Sequence, residues 1–190
     1  FGVDVITSGN HIWDKKETSE FISKEERLLR PYNSISPAPG KGFNIFTLNN
    51  GIKIGILNLM GNIFMKKSEN VFQAAKEFLK NNQLKKDYDF LILDFHAETT
   101  FEKMAMGHFF DGKATLVVGT HTHVPTNDAR ILENGTAYQT DAGMSGNYNS
   151  VIGMDKNIFI KKLLKEKYKA NFPTPDNISL CGVIVEADLK

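Results

Sequence analysis

The residues with the clearest capacity for chemistry are histidines placed directly after apolar runs. Leu116, Val117 and Val118 form a β-branched stretch of the kind that fills a strand buried on both faces, and Gly119 then leads into His121 and His123. In extended chain, residues two apart point to the same side, so both imidazoles are expected to face one point at the C-terminal edge of a sheet. Imidazole is the commonest metal ligand among side chains, and open α/β sheets bind ligands at that edge. Two surface histidines in a polar loop would show the same local pattern. Recurrence argues for the metal: His11 follows the apolar residues Val3, Val5 and Ile6, and His96 follows Phe90-Leu91-Ile92-Leu93. Strand ends that each deliver a histidine predict a convergent cluster, which reads as a metal site. Asn10 adds a neutral amide oxygen, which binds a cation without cancelling the positive charge that attracts phosphate. His11, beside it, is directed to the other side of extended chain and is expected to meet substrate as a general acid. His108, between Gly107 and Phe109, is read as structural.

The elements that must position these groups alternate between strand and helix patterns. Val3–Ile6 is predicted as a short buried strand, followed by a helix over 14–30 with Trp13, Phe21, Ile22, Leu28 and Leu29 on one face and Pro31 as its stop. Residues 42–47 and 52–59 are predicted to form a hairpin around Asn49-Asn50-Gly51. The stretch 60–70, with Met60, Phe64 and Met65, is either a lid or a packed connection. Helices are expected over 71–83, over 100–110 with Thr99 or Thr100 as N-cap, and over 158–168. Further strands are expected at 90–93, 116–118, 137–140 and 181–186, with a glycine-rich loop at 141–146. The alternation gives an α/β class with a mixed sheet in a single domain over residues 1–190.

Composition narrows the function classes. At 190 residues with 41% hydrophobic and 24% charged side chains, the chain has the make-up of one globular domain. A net charge of +1 gives no general electrostatic case for nucleic acid or a membrane surface. The lysines between Lys161 and Lys169 read as a solvated helix face. Cys181 is alone, so no internal disulfide forms and a cytoplasmic location is expected. No apolar run approaches the roughly 20 residues that a membrane helix needs.

Together these residues resemble the calcineurin-like metallophosphoesterases. The ordered set is Gly9-Asn10-His11, a histidine after a strand (His96), and Gly-x-His-x-His at 119–123. Longer stretches are similar to the bacterial YmdB-type branch: 9–17 (GNHIWDKKE), 94–98 (DFHAE), 117–124 (VVGTHTHV), 140–146 (TDAGMSG) and 152–155 (IGMD). The resemblance implies an α/β/β/α sandwich and a phosphodiesterase acting on cyclic nucleotides or related small phosphodiesters. It implies two divalent metal ions, iron or manganese with zinc as a further candidate. Asn10, His96 and His121 match ligands of one ion, His123 matches a ligand of the other, and His11 matches the proton donor. Asp141 and its glycines match a motif beside the site.

One departure follows from the same comparison. The family's Gly-Asp and Asn-Gly-Glu-Asn elements, which supply further ligands, do not occur in this sequence. An N-terminally truncated domain with an incomplete second metal site is therefore expected. Its unpaired sheet edge would favour a homo-oligomer. A mononuclear metal hydrolase and a non-catalytic or regulatory remnant of the fold are the alternatives.

Overall fold

The computed structural model describes residues 2–169 and 177–189. Its elements in chain order are β1 (Ile6–Thr7), α1 (Lys16–Phe21), β2 (Leu28–Leu29), β3 (Phe43–Thr47), β4 (Lys53–Met60), α2 (Val71–Asn81) and β5 (Phe90–His96). There follow α3 (Thr100–Phe110), β6 (Leu116–Thr120), β7 (Arg130–Ile131), β8 (Ala137–Gln139), β9 (Gly146–Asn147), α4 (Lys156–Leu163) and β10 (Ile178–Ser179). Six strands form one sheet in the order β3-β4-β5-β6-β8-β7. The central four run parallel, and β3 and β7 close the two edges in antiparallel fashion. The α/β class with a mixed sheet is thus observed.

Strand alternation decides which side chains meet the helices. Leu57, Leu59, Leu91, Leu93, Phe95, Val117 and Tyr138 share a core with Val71, Ala75 and Phe78 of α2 and Met106 and Phe110 of α3. Phe78, Phe95 and Phe110 are fully buried, and each such ring contributes about 1.5–3 kcal/mol of transfer free energy. The opposite face carries a smaller cluster of Leu116, Val118 and Ala137, against which Ile92, Val183 and Val185 pack. Because β4, β5 and β6 are parallel, their C-terminal ends lie side by side: Met60 pairs with His96, and His96 with Thr120. His96 therefore stands at that edge.

Several expectations are corrected. The helix predicted over 14–30 is only α1, none of whose residues is buried. Leu28–Leu29 instead forms β2, paired in parallel with β1, and this takes Leu29 out of water completely. The stretch predicted as a buried strand over 3–6 is not buried, with Val3 and Ile6 more than half exposed. The hairpin is present as β3 and β4, and Gly51 takes the positive φ (85°) its turn requires. The 60–70 stretch is a packed connection: Asn62 binds Ser68, the Glu69 carbonyl and the Val71 amide, and Glu102 accepts from the Asn62 amide. Thr99 occupies the N-cap position of α3 without capping it, because its hydroxyl donates to Glu102. α4 begins earlier than expected, where Asp155 accepts from two first-turn amides. Residues 181–186 alternate in exposure as a strand does but join no ladder among the described residues; Val183 and Val185 lie on the sheet face and Ile184 faces solvent.

Candidate active site

β5 runs on through Asp94 and Phe95, so His96 is its last residue and remains in register with Thr120 at the end of β6. Extended backbone then stops. His121 and His123 both adopt positive φ (104° and 67°), so the alternation rule ends at Thr120. His121 folds back onto His96, their ring centroids 4.8 Å apart. His123 turns away, is exposed, and donates from Nδ1 to the Ile152 carbonyl at 2.8 Å. The two imidazoles thus have different hydrogen-bond partners, His96 for His121 and the Ile152 carbonyl for His123.

Asn10 reaches the same place from the loop after β1. Its amide oxygen lies 2.8 Å from His96 Nε2, and His121 Nδ1 lies 3.1 Å from that same nitrogen. The approach depends on Gly9, since a Cβ there would sit 2.2 Å from the His96 ring. Asn10, His96 and His121 are thus in mutual contact as a trio.

The surrounding hydrogen bonds fix the protons on both rings. Thr120 Oγ1 donates to Asp94 Oδ1 at 2.7 Å, so at the 3.2 Å contact with His96 Nδ1 it is the ring N–H that donates. Burial, reinforced by the neighbouring His121, holds the pKa of His96 down at about 4. A neutral His96 with its proton on Nδ1 bears a lone pair on Nε2. His121 Nε2 lies 3.0 Å from Glu98 Oε2 and donates to it, which leaves a lone pair on Nδ1. Burial lowers the pKa of His121, with Glu98 opposing. With both rings neutral, three lone pairs, from His96 Nε2, His121 Nδ1 and Asn10 Oδ1, therefore face one another. That is unfavourable unless a cation sits among them, and separations near 3 Å suit neighbouring ligands with bonds of about 2.0–2.2 Å. Histidine ligands oriented by carboxylates through their other ring nitrogen are a recurring feature of metal sites. Among the described residues no group of three or more His, Cys, Asp or Glu side chains is arranged to hold a metal; the third donor here is an amide.

His11 is 76% exposed and 2.6 Å from Asp14 Oδ2 through Nδ1, and Asp14 also pairs with Lys66 at 3.0 Å. His108 lies on the exposed side of α3 near its end, away from the trio.

Sequence reasoning missed the clamp beneath the His121–His123 loop. Asp141, 1% exposed, accepts from the Thr122 amide (3.2 Å), the Thr122 hydroxyl (2.7 Å), the Gly143 amide (2.8 Å) and Lys103 Nζ (2.6 Å). Lys103 is equally buried. Its position was legible in principle: Lys103, Met106, Gly107 and Phe110 share the buried stripe of α3. Gly119 allows the two segments to touch, because a Cβ there would lie 1.7 Å from the Thr140 carbonyl oxygen. Asp94, also buried, has its pKa raised to about 6 by that burial, against hydrogen bonds from Thr7 and Thr120.

Comparison with known proteins accords with this arrangement. A model of the YmdB-like protein family matches residues 1–190. A Bacillus subtilis protein named 2',3'-cyclic-nucleotide 2'-phosphodiesterase is 42% identical over 98% of this chain and 70% of its own length. A Mycoplasma genitalium protein named as a candidate phosphatase/phosphodiesterase is 45% identical over 84% of this chain and 58% of its own length. Among solved structures, a hypothetical protein from Thermus thermophilus superposes with a TM-score of 0.80 at 40% identity, covering 90% of this chain and 65% of that one. A Mycoplasma pneumoniae structure described as a novel phosphatase gives 0.78 at 39%, covering 90% and 61%. The chain thus spans between 58% and 70% of these relatives' lengths. With a family match over its whole length and relatives at about 40% identity, the chain belongs to the YmdB-like protein family.

Proposed function

We propose that this chain hydrolyses a phosphodiester, with a cyclic nucleotide as the substrate class, at a divalent cation held by Asn10, His96 and His121. The observation that carries the reading is the meeting of three lone pairs whose neighbours have taken every available ring proton. The names of the Bacillus and Mycoplasma relatives support the reaction class. A bound divalent ion would polarise the phosphoryl oxygen and make water acidic enough to deprotonate near pH 7.

The chain's own residues do the rest. Asp94 and Thr120 hold the His96 ring in its ligating tautomer, and Glu98 does the same for His121. His11, its Nδ1–H held by Asp14, hands over the Nε2 proton of its imidazolium form to the departing alkoxide oxygen and is left neutral. Such general-acid assistance is worth about 10²–10⁴-fold. His123 is assigned to a second cation on the resemblance, with iron or manganese as the metals to test first.

Metal titration by calorimetry, followed by turnover of a 2',3'-cyclic nucleotide, tests this. His96→Ala and His121→Ala lose both metal and turnover, whereas His11→Ala keeps metal and loses turnover by about 10²-fold or more. A wild-type protein that takes up neither Mn²⁺ nor Fe²⁺ refutes the proposal, and equal metal loss in all three variants refutes the role of His11.

A further inference from the structure

The trio fixes where phosphate chemistry would occur but says nothing about what recognises the remainder of the substrate. A cleft of about 360 Å³ opens directly beside it, with Gly9 and Asn10 on its wall. Its other walls are apolar: Ile12, Trp13, Ile35, Pro37 and Met60. Lys66 and Lys67 stand at its margin. Lys66 is paired with Asp14, while Lys67 makes no hydrogen bond or ion pair among the described residues. Trp13 and Ile35 are 38% and 47% exposed, so large apolar surface faces the opening.

We propose that this cleft is the nucleobase slot of the substrate, with Trp13 as the stacking face. The inference rests on the phosphodiesterase reading and adds to it the part of the substrate that is bound. Three features favour a base. Asn10 belongs both to the trio and to the cleft wall, so a group attached to a phosphoryl centre at the trio enters the cleft without crossing solvent. A flat ring gains from an indole and proline surface whatever its identity, because every base offers a π-face. Lys67 adds positive charge to the lining, which an anionic nucleotide would use and an uncharged apolar ligand would not. The volume falls within the range of small-molecule sites, about 300–1,000 Å³.

The sequence provides its own probe, since Trp13 is the only tryptophan. Indole fluorescence of the full chain, excited where bases do not absorb, is followed in chelator during titration with adenosine 3'-monophosphate and, separately, with ribose phosphate. The nucleotide is expected to quench saturably and to bind at least about fivefold more tightly than ribose phosphate, the lower end of base–aromatic stacking. Ile35→Asp, which keeps the reporter, is expected to weaken nucleotide binding at least about fivefold while retaining the wild-type melting temperature. Equal affinity for the two ligands, absence of quenching, or an unchanged Ile35→Asp would each overturn the slot. Because no metal is present, the result is independent of catalysis. Hydrolysis of a base-free ribose cyclic phosphate by the metal-loaded protein separately judges the phosphodiesterase reading.

Discussion

Replacing Lys103 with Met tests whether a buried charge pair holds the histidine loop in place. The substitution preserves an unbranched chain of similar length, so packing of its methylenes beside Gly119 changes little. What it removes is the 2.6 Å contact to Asp141, leaving a carboxylate at 1% exposure with only the Thr122 and Gly143 donors. Removing one partner of a buried pair costs about 3–5 kcal/mol, mostly because the other charge stays desolvated. For a chain of this size each kcal/mol moves the melting temperature by about 2–4 °C, so a fall of about 10 °C is expected. Urea unfolding gives the free energy directly. The double variant Lys103→Met/Asp141→Asn separates charge from shape: a neutral amide still accepts from Thr122 and leaves no uncompensated charge. It should recover at least half of the loss, and the cycle isolates the coupling. A single-variant cost below about 1 kcal/mol would refute the reasoning, as such a value belongs to a solvated surface pair. A double variant as unstable as the single one would show that packing, not charge, is at issue.

Asp94 gives a signed pH dependence. Its pKa rises on folding from 3.8 to about 6, so the folded state holds the proton more tightly and the cost of the buried charge is absent below about pH 4 and complete above about pH 6. Two units correspond to about 3 kcal/mol, so in urea unfolding Asp94→Asn should gain stability over wild type as pH rises from about 4 to 7, and a flat difference would contradict this. Gly9→Ala places a methyl into the His96 ring; cation affinity measured by calorimetry should fall at least about tenfold while the core remains folded by circular dichroism. Glu98→Gln can still accept from His121 but as a neutral group, so a loss of metal affinity of about 10-fold is expected, within the range for outer-shell partners.

Much of this protein could be read from its residues alone. Apolar runs at 90–93 and 116–118 and the hairpin pattern at 42–47 and 52–59 marked four strands of the sheet, since a strand buried on both faces reads as a continuous apolar run. Order along the chain, Gly-Asn-His, then His96, then His-x-His, identified the family and grouped Asn10 with His96 and His121. Tertiary context decided what periodicity cannot express. Leu28 and Leu29 fit a helix face as well as a strand, and only a neighbour at β1 with unpaired backbone groups makes the strand. His121 and His123 look equivalent two residues apart, yet positive φ at both sends one ring to His96 and the other to Ile152. The agent of that division, Asp141 with Lys103, is a long-range pair 38 residues apart in the chain. A lysine reads as a surface residue until the fold supplies a buried carboxylate that can compensate it, and that pairing is a property of packed space rather than of any local stretch.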